Sequence, residues 1–236
     1  HGKRSPLTRS GSVQGKAFSP DGASVVTASA DATSRIWNVL TGDCLLTLEH
    51  QDQLRSAVYS GDGACVLTAS HDRTAKIWSV VRGECVADLH GHEDALMYAV
   101  YAPDNTAVLT ASKDATAKIW NVATRQCQIT FEGHADAVYY ATFSSDTATV
   151  LTASLDETAR VWSVATGLCL VTLDGHHDRI YSAMFSDDGS TVITTSRDET
   201  AMIWDAVTGE SRASFHGHYE AVNTASLVCQ SYFHAH

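Results

Sequence analysis

The chain has 236 residues, 44% hydrophobic and 18% charged, with a formal net charge of −11. That is the make-up of an ordinary globular protein rather than a disordered or fibrous one. The acidic balance argues against general affinity for nucleic acid phosphates, which needs a basic face, and no apolar run of about 18 residues is present to cross a bilayer.

Residues His1 to Ser10 carry Lys3, Arg4 and Arg9 with no apolar stretch behind them, so they lack the build of a secretory signal. They are expected as a basic N-terminal segment, the remnant of a preceding unit, in a chain cut from something longer. From residue 11 onward the chain is periodic. Trp37, Trp78, Trp120, Trp162 and Trp204 lie 41, 42, 42 and 42 residues apart, and each follows an aspartate by six: Asp31, Asp72, Asp114, Asp156 and Asp198. A histidine stands 28 residues before each of the last four tryptophans, at His50, His92, His134 and His176, and His218 opens a further unit. Repeats of this length are the mark of solenoids and propellers.

Within the unit from His92 to Gly133, the apolar and aromatic segment 95–102 ends on the turn residues Pro103-Asp104-Asn105. Residues 108–112 and 116–122, either side of a turn at Lys113-Asp114-Ala115, are rich in β-branched and aromatic side chains, and 126–131 completes the unit. Four short strands with no helical period make one propeller blade. The first blade is expected near 11–18, 24–29, 33–39 and 43–48. A sixth would have only its inner strand, Ala221 to Val228, followed by a tail at 229–236.

The Gly-His pairs at 91–92, 133–134, 175–176 and 217–218, the Thr-Ala-Ser-x-Asp segments and the tryptophan that follows resemble WD repeats over roughly residues 9 to 228. The eponymous dipeptide occurs only as Trp204-Asp205, with Trp-Asn or Trp-Ser elsewhere. Two departures matter more: Glu49 precedes His50 where glycine is expected, and Arg9 stands where the first histidine should be. The resemblance implies an all-β WD-repeat β-propeller of five complete four-stranded blades plus a partial sixth, spanning 11–228. Because family members most often have seven blades, the expected object is an open arc or part of a larger ring. Helices longer than a few turns would refute it.

Aspartate, histidine and a hydroxyl in every unit look on paper like a catalytic triad. Hydrogen-bond chemistry gives a better account. An indole can only donate, so a buried Trp120 needs an acceptor, which Thr110 or Ser112 can supply; that hydroxyl's proton goes to His92, whose other nitrogen donates to Asp114. The same chain can be written for His50, Thr68, Asp72 and Trp78, for His134, Thr152, Asp156 and Trp162, and for His176, Thr194, Asp198 and Trp204. The resemblance implies the same structural tetrad. A nucleophile tied to an indole and repeated four times is not a catalyst, so no enzyme is expected.

Metals and cofactors find no seat in the pattern. His176-His177 and His234/His236 have no cysteine or carboxylate at zinc-like spacing, and the Asp-Gly steps at 21–22, 62–63 and 188–189 read as hairpin turns, not phosphate loops. Cys44, Cys85, Cys127 and Cys169 recur once per unit, too far apart to pair. They are expected as buried reduced thiols, which points to a reducing compartment and hence the cytoplasm.

Partner binding is expected on the loop rim at the narrow end. Two positions there vary from blade to blade while their neighbours repeat. One precedes the turn aspartate, at Ala30, His71, Lys113, Leu155 and Arg197; the other begins the innermost strand, at Gln14, Arg55, Met97, Tyr139, Tyr181 and Asn223. Tyr139, Tyr181, Met97 and Leu155 are expected to form an apolar arc flanked by Arg55, Lys113, Arg179 and Arg197, residue types that interfaces favour. The expected function is a scaffold for other proteins or peptides, with an acidic or phosphorylated segment beside an apolar anchor, and with no general nucleic-acid or membrane binding. A regulatory or sensing array fused to an enzyme or ATPase is the alternative.

Overall fold

Alternating β-branched and small residues, cut by turn residues every six to ten positions, fold here into strands and nothing else. The computed structural model describes residues 12–225, and among them no helix occurs. The first blade comprises β1 (Val13–Phe18), β2 (Ser24–Ser29), β3 (Thr33–Asn38) and β4 (Cys44–Glu49). The second has β5 (Leu54–Tyr59), β6 (Cys65–Ser70), β7 (Ala75–Ser79) and β8 (Cys85–Leu89), and the third β9 (Leu96–Tyr101), β10 (Ala107–Ser112), β11 (Ala117–Asn121) and β12 (Cys127–Phe131). The fourth has β13 (Val138–Phe143), β14 (Thr149–Ser154), β15 (Thr158–Ser163) and β16 (Cys169–Asp174). The fifth ends the series with β17 (Ile180–Phe185), β18 (Thr191–Ser196), β19 (Ala201–Asp205) and β20 (Ser211–Phe215). Each group of four is one antiparallel sheet in sequence order. Of the expected sixth-blade strand, residues 221–225 are not in strand conformation and the remainder lies outside the described residues, as do segments 1–10 and 229–236.

The apolar core lies between sheets. Leu67, Ala69, Ile77 and Leu89 of the second blade meet Leu96, Tyr101, Val108 and Trp120 of the third in one buried cluster. Equivalent clusters join the first to the second, the third to the fourth and the fourth to the fifth. Inner strands follow one another in space, β1 beside β5, β5 beside β9, β9 beside β13 and β13 beside β17; no comparable contact joins β17 to β1, so the sheets form an open arc.

Each blade carries two register shifts at equivalent places. One falls at the start of the inner strand, where Gln14, Arg55, Met97, Tyr139 and Tyr181 are each an extra residue against the facing strand. The second lies on the outer strand beside each tryptophan. A bulge bends its strand and re-aims the extra side chain. In this fold the five bulged residues, with inner-strand neighbours such as Tyr98 and Tyr140, line one cavity between the inner strands at the channel mouth.

The repeated cysteines require a correction. Cys44, Cys85, Cys127 and Cys169 are exposed, not buried, and unpaired among the described residues. Each is the first residue of an outermost strand, where no further sheet covers it; its Sγ–H is directed at the carbonyl two residues on, in Cys44 at 3.5 Å from Leu46. Apolar character placed the thiols inside, but the edge of the sheet places them outside.

The first seam is the tightest at its inner strands because β1 has a glycine where β9 and β13 have Tyr98 and Tyr140. A Cβ on Gly15 would stand 3.1 Å from the Arg55 carbonyl oxygen and 3.2 Å from Ser56 Cα, both backbone atoms that cannot swing away. Gly15→Val is therefore expected to cost about 1–3 kcal/mol through overpacking in urea denaturation. Gly42→Asn, at φ +75 with open space around it, is expected to stay within about 0.5 kcal/mol of the parent. Equal effects would show that the close approach of the two inner strands is not a constraint.

Candidate functional site

Two polar constellations lie at the end of the blades where the inner strands begin. The first is repeated. In the third blade, Trp120 Nε1 donates to Thr110 Oγ1 at 2.8 Å, Thr110 Oγ1 meets His92 Nε2 at 2.7 Å, and His92 Nδ1 meets Asp114 Oδ2 at 2.7 Å. Since the indole only donates, the single threonine proton goes to Nε2, and Nδ1 carries the proton donated to the carboxylate. His50, Thr68, Asp72 and Trp78 are joined in the same way. So are His134, Thr152, Asp156 and Trp162, and His176, Thr194, Asp198 and Trp204. All four histidines and threonines are buried.

Of the two hydroxyls open to Trp120 on sequence grounds, Thr110 is used. Ser112 lies two residues further on the same strand face and donates to the Asp94 carbonyl. The other oxygen of Asp114 accepts from the backbone and side chain of Thr116, while Oδ2 also accepts the Glu93 N–H at 2.9 Å. The tight turn that allows this puts Ala115 at φ 65, and its equivalents Ala32, Arg73, Glu157 and Glu199 at 70 to 72. In the first blade Trp37 donates to Thr27 and Asp31 accepts from Thr33; Arg9 lies outside the described residues.

The Gly-His pair has a steric reason. A Cβ on Gly91 would come 3.2 Å from Trp120 Cη2, and one on Gly175 3.0 Å from Trp204 Cη2. Where Glu49 replaces this glycine, the tryptophan it would crowd, Trp78, is 8% exposed against 1–2% for the other three of the tetrads.

The second constellation varies among the blades, with tyrosine recurring only in the fourth and fifth, and lines the channel mouth. Arg55, Met97, Tyr139 and Tyr181 surround a cavity of about 250 Å³ together with Gln14. Tyr139 and Tyr181 pack with ring centroids 5.4 Å apart. The Arg55 guanidinium lies 5.6 Å over the Tyr139 ring, donates to its hydroxyl, and reaches Gln14 Oε1 at 3.3 Å. Arg55 thus spans from the second blade to the first and the fourth. Met97 is buried.

The remaining rim residues are not part of that lining. His71, Lys113, Leu155 and Arg197 are tied by their backbone N–H groups to Gln53, Ala95, Ala137 and Arg179, which holds each hairpin beside the loop entering the inner strand. Lys113, Arg179 and Arg197 are exposed, and His71 and Leu155 half-buried. Arg197 Nε stands 3.8 Å from Asp178. Burial, reinforced by Lys113 and Arg55, lowers the His71 pKa and keeps the ring neutral. Among the described residues no group of three or more histidine, cysteine or carboxylate side chains could hold a metal ion, and no helix is long and apolar enough to cross a membrane.

Among the described residues, twenty strands in five four-stranded meanders, seamed by buried indoles and each contributing one bulged residue to the channel mouth, define a propeller-type repeat protein. The chain belongs to the family of the WD domain, G-beta repeat, matching it at residues 11–38, 42–79, 83–121, 125–163 and 167–205. WD-repeat domains generally mediate protein–protein interaction and are typically non-catalytic. No individual curated protein matches the chain.

The tetrads make folding sensitive to acid. For Asp114 burial raises the pKa, but hydrogen bonds from His92, Thr116 and the Glu93 backbone outweigh it and hold the carboxyl well below the usual range. Asp198 is likewise lowered, to about 2. Burial lowers His92 and His176. In the unfolded chain the same groups protonate near pH 4 and about 6.5, so at acid pH the unfolded chain binds more protons and gains on the folded one. Stability is expected to be full above about pH 7, to fall below about 6.5 with the histidines and again below about 4 with the carboxylates. Thermal melts at pH 8, 5 and 3 measure this, and a midpoint unchanged between pH 8 and 5 would refute it. Trp120→Ala should remove about 3–5 kcal/mol, against about 0.5 or less for the exposed Lys113→Ala.

Proposed function

We propose that this chain is a protein-interaction scaffold whose partner docks on the channel mouth, without catalysis. The observation that carries the reading is the inner-strand bulge. Each blade places one bulged side chain at the channel mouth, of four residue types over five blades, whereas the repeated histidine, threonine and aspartate beside it are engaged in the tetrads of the second to fifth blades. What varies is free to recognise, and what repeats holds the fold.

The chemistry of the mouth selects the partner class. Tyr139 and Tyr181 offer an aromatic face of the kind that dominates interface energetics. Lys113, Arg179 and Arg197 are exposed on the surrounding hairpins and loops, so a chain of net charge −11 carries cations locally. A segment with an apolar anchor beside a carboxylate or phosphate group complements that arrangement. The scaffold operates in a reducing compartment, for which the cytoplasm is the natural choice, because four exposed thiols stand unpaired.

A partner captured on the immobilised chain provides the test. Tyr139→Ala combined with Tyr181→Ala is expected to weaken its binding by about thirtyfold or more. Arg197→Glu should weaken it more at low than at high ionic strength, since an exposed charge acts through a screened field. Affinity unchanged in variants that melt like the parent would place the partner elsewhere.

A further inference from the structure

At the end of the blades opposite the channel mouth, each seam ends where two turns approach one another, and the residues that meet there differ from seam to seam. In the first, the Pro20 ring lies 3.3 Å from the Cβ position of Gly63, and Tyr59 Oη bridges to Ser24 Oγ at 2.8 Å. In the second, the Gly61 N–H donates to Asn105 Oδ1 at 2.8 Å. The third has Pro103 in the proline position and a polar Gln128 on its outer strand.

The fourth seam is closed more loosely. Ser145 replaces the proline and reaches the facing turn only through its hydroxyl, which donates to the Asp187 carbonyl at 3.4 Å; nothing lies within 4 Å of the Cβ position of Gly189, and Phe185 has no hydroxyl with which to bridge to Thr149. The result is a groove of about 470 Å³, against about 200 Å³ at the first seam. Its floor and walls include Phe185 and Val171, and its lip carries Leu170 and Val207, which are 56% and 79% exposed. Solvated aliphatic side chains around an open groove mark an interaction surface.

Two carboxylates give the groove a sign. Asp146 and Asp188 line it, and each uses Oδ1 to accept from its own turn, from Ser144 and the Ala148 N–H and from Ser186 and Ser190. Among the described residues neither Oδ2 accepts a hydrogen bond. The turn bonds hold both carboxyls below the usual range, Asp188 at about 2, so both are ionised at neutral pH. Among the described residues no lysine or arginine lines the groove.

The geometry points to this groove as a second docking site, for a protein segment that places an aliphatic or aromatic side chain beside a lysine or arginine. The apolar side chain enters between Leu170 and Val207, and the cation pairs with the free carboxylate oxygens. The site lies at the opposite end of the blades from the channel mouth and carries the opposite charge. One scaffold can then hold two chemically distinct partners at once.

Eight-residue peptides with one leucine or phenylalanine next to one lysine or arginine serve as probes, with glutamate or glutamine counterparts. They are titrated into the chain labelled at leucine and valine methyl groups. The expected result is saturable shifts of the Leu170, Val171 and Val207 methyls with the cationic peptides, and binding about fivefold to tenfold weaker with the glutamate versions. Asp146→Asn with Asp188→Asn should erase that charge preference. Ser145→Pro, which installs the residue of the first and third seams, should abolish the shifts, and the methyl spectrum itself reports that the variant is folded. Tyr139→Ala should leave them unchanged, which keeps this site separable from the channel mouth. Absence of saturable shifts at those methyls, equal binding of the glutamate peptides, or retention of binding by folded Ser145→Pro would overturn the proposal.

Discussion

A buried indole N–H must find an acceptor, and in this molecule nearly everything at one end of each blade follows from where that acceptor lies. The threonine hydroxyl that accepts from tryptophan has one proton left to give. It gives it to a histidine, which in turn must give its own to a carboxylate. Tryptophan is on the third strand of a blade, threonine on the second, aspartate on the turn between them, and histidine on the loop arriving from the previous blade. One network thus ties a blade to the segment that leads into it, and the loop's arrival point sets where the inner strand begins. Its bulge, and the side chain the bulge presents, are located by a hydrogen-bond chain that never touches a ligand.

The apolar packing obeys a second rule, since every core cluster straddles two sheets and none belongs to one. A sheet only five or six residues wide has too little interior of its own, and it becomes stable by covering its neighbour. Seams are therefore the energetic units of the molecule. They are also where it can vary, because a seam needs its central apolar contacts but tolerates changes at its ends. Pro20, Gly61, Pro103 and Ser145 occupy one such end position in four successive blades, and the width of the groove beneath follows from which of them is present.

Strand number and place could be read from the sequence because a fixed period of 41 or 42 overlays five noisy patterns into one clear one. The tetrads were legible for a different reason: indole, hydroxyl, imidazole and carboxylate have complementary donor and acceptor inventories that order them into one chain, leaving open only whether Thr110 or Ser112 supplies the hydroxyl. Three features were not. A bulge shifts register by one residue and leaves no signature in composition, so in the sequence the inner-strand position stands out by its variability and not by its geometry. The reach of Arg55 to Tyr139 joins residues 84 apart in blades that are not neighbours, a relation no repeat pattern contains. The cysteines misled because their residue type speaks of burial while their position, first on an outer strand, decides exposure.

The inner-strand bulge has an evolutionary consequence. Its extra residue pairs with no ladder partner and belongs to no seam core, so folding constrains it less than it constrains the tetrads, even though Met97 is buried and Arg55 bonds to Gln14 and Tyr139. Gln14, Arg55, Met97, Tyr139 and Tyr181 are accordingly a short word written in five letters, one per blade, on a page whose binding is elsewhere. Duplicating a blade adds a letter, and a point mutation respells the word while the tetrads and seam cores that hold the page stay in place. A lineage of such chains would diverge fastest in what it recognises while its architecture stood still.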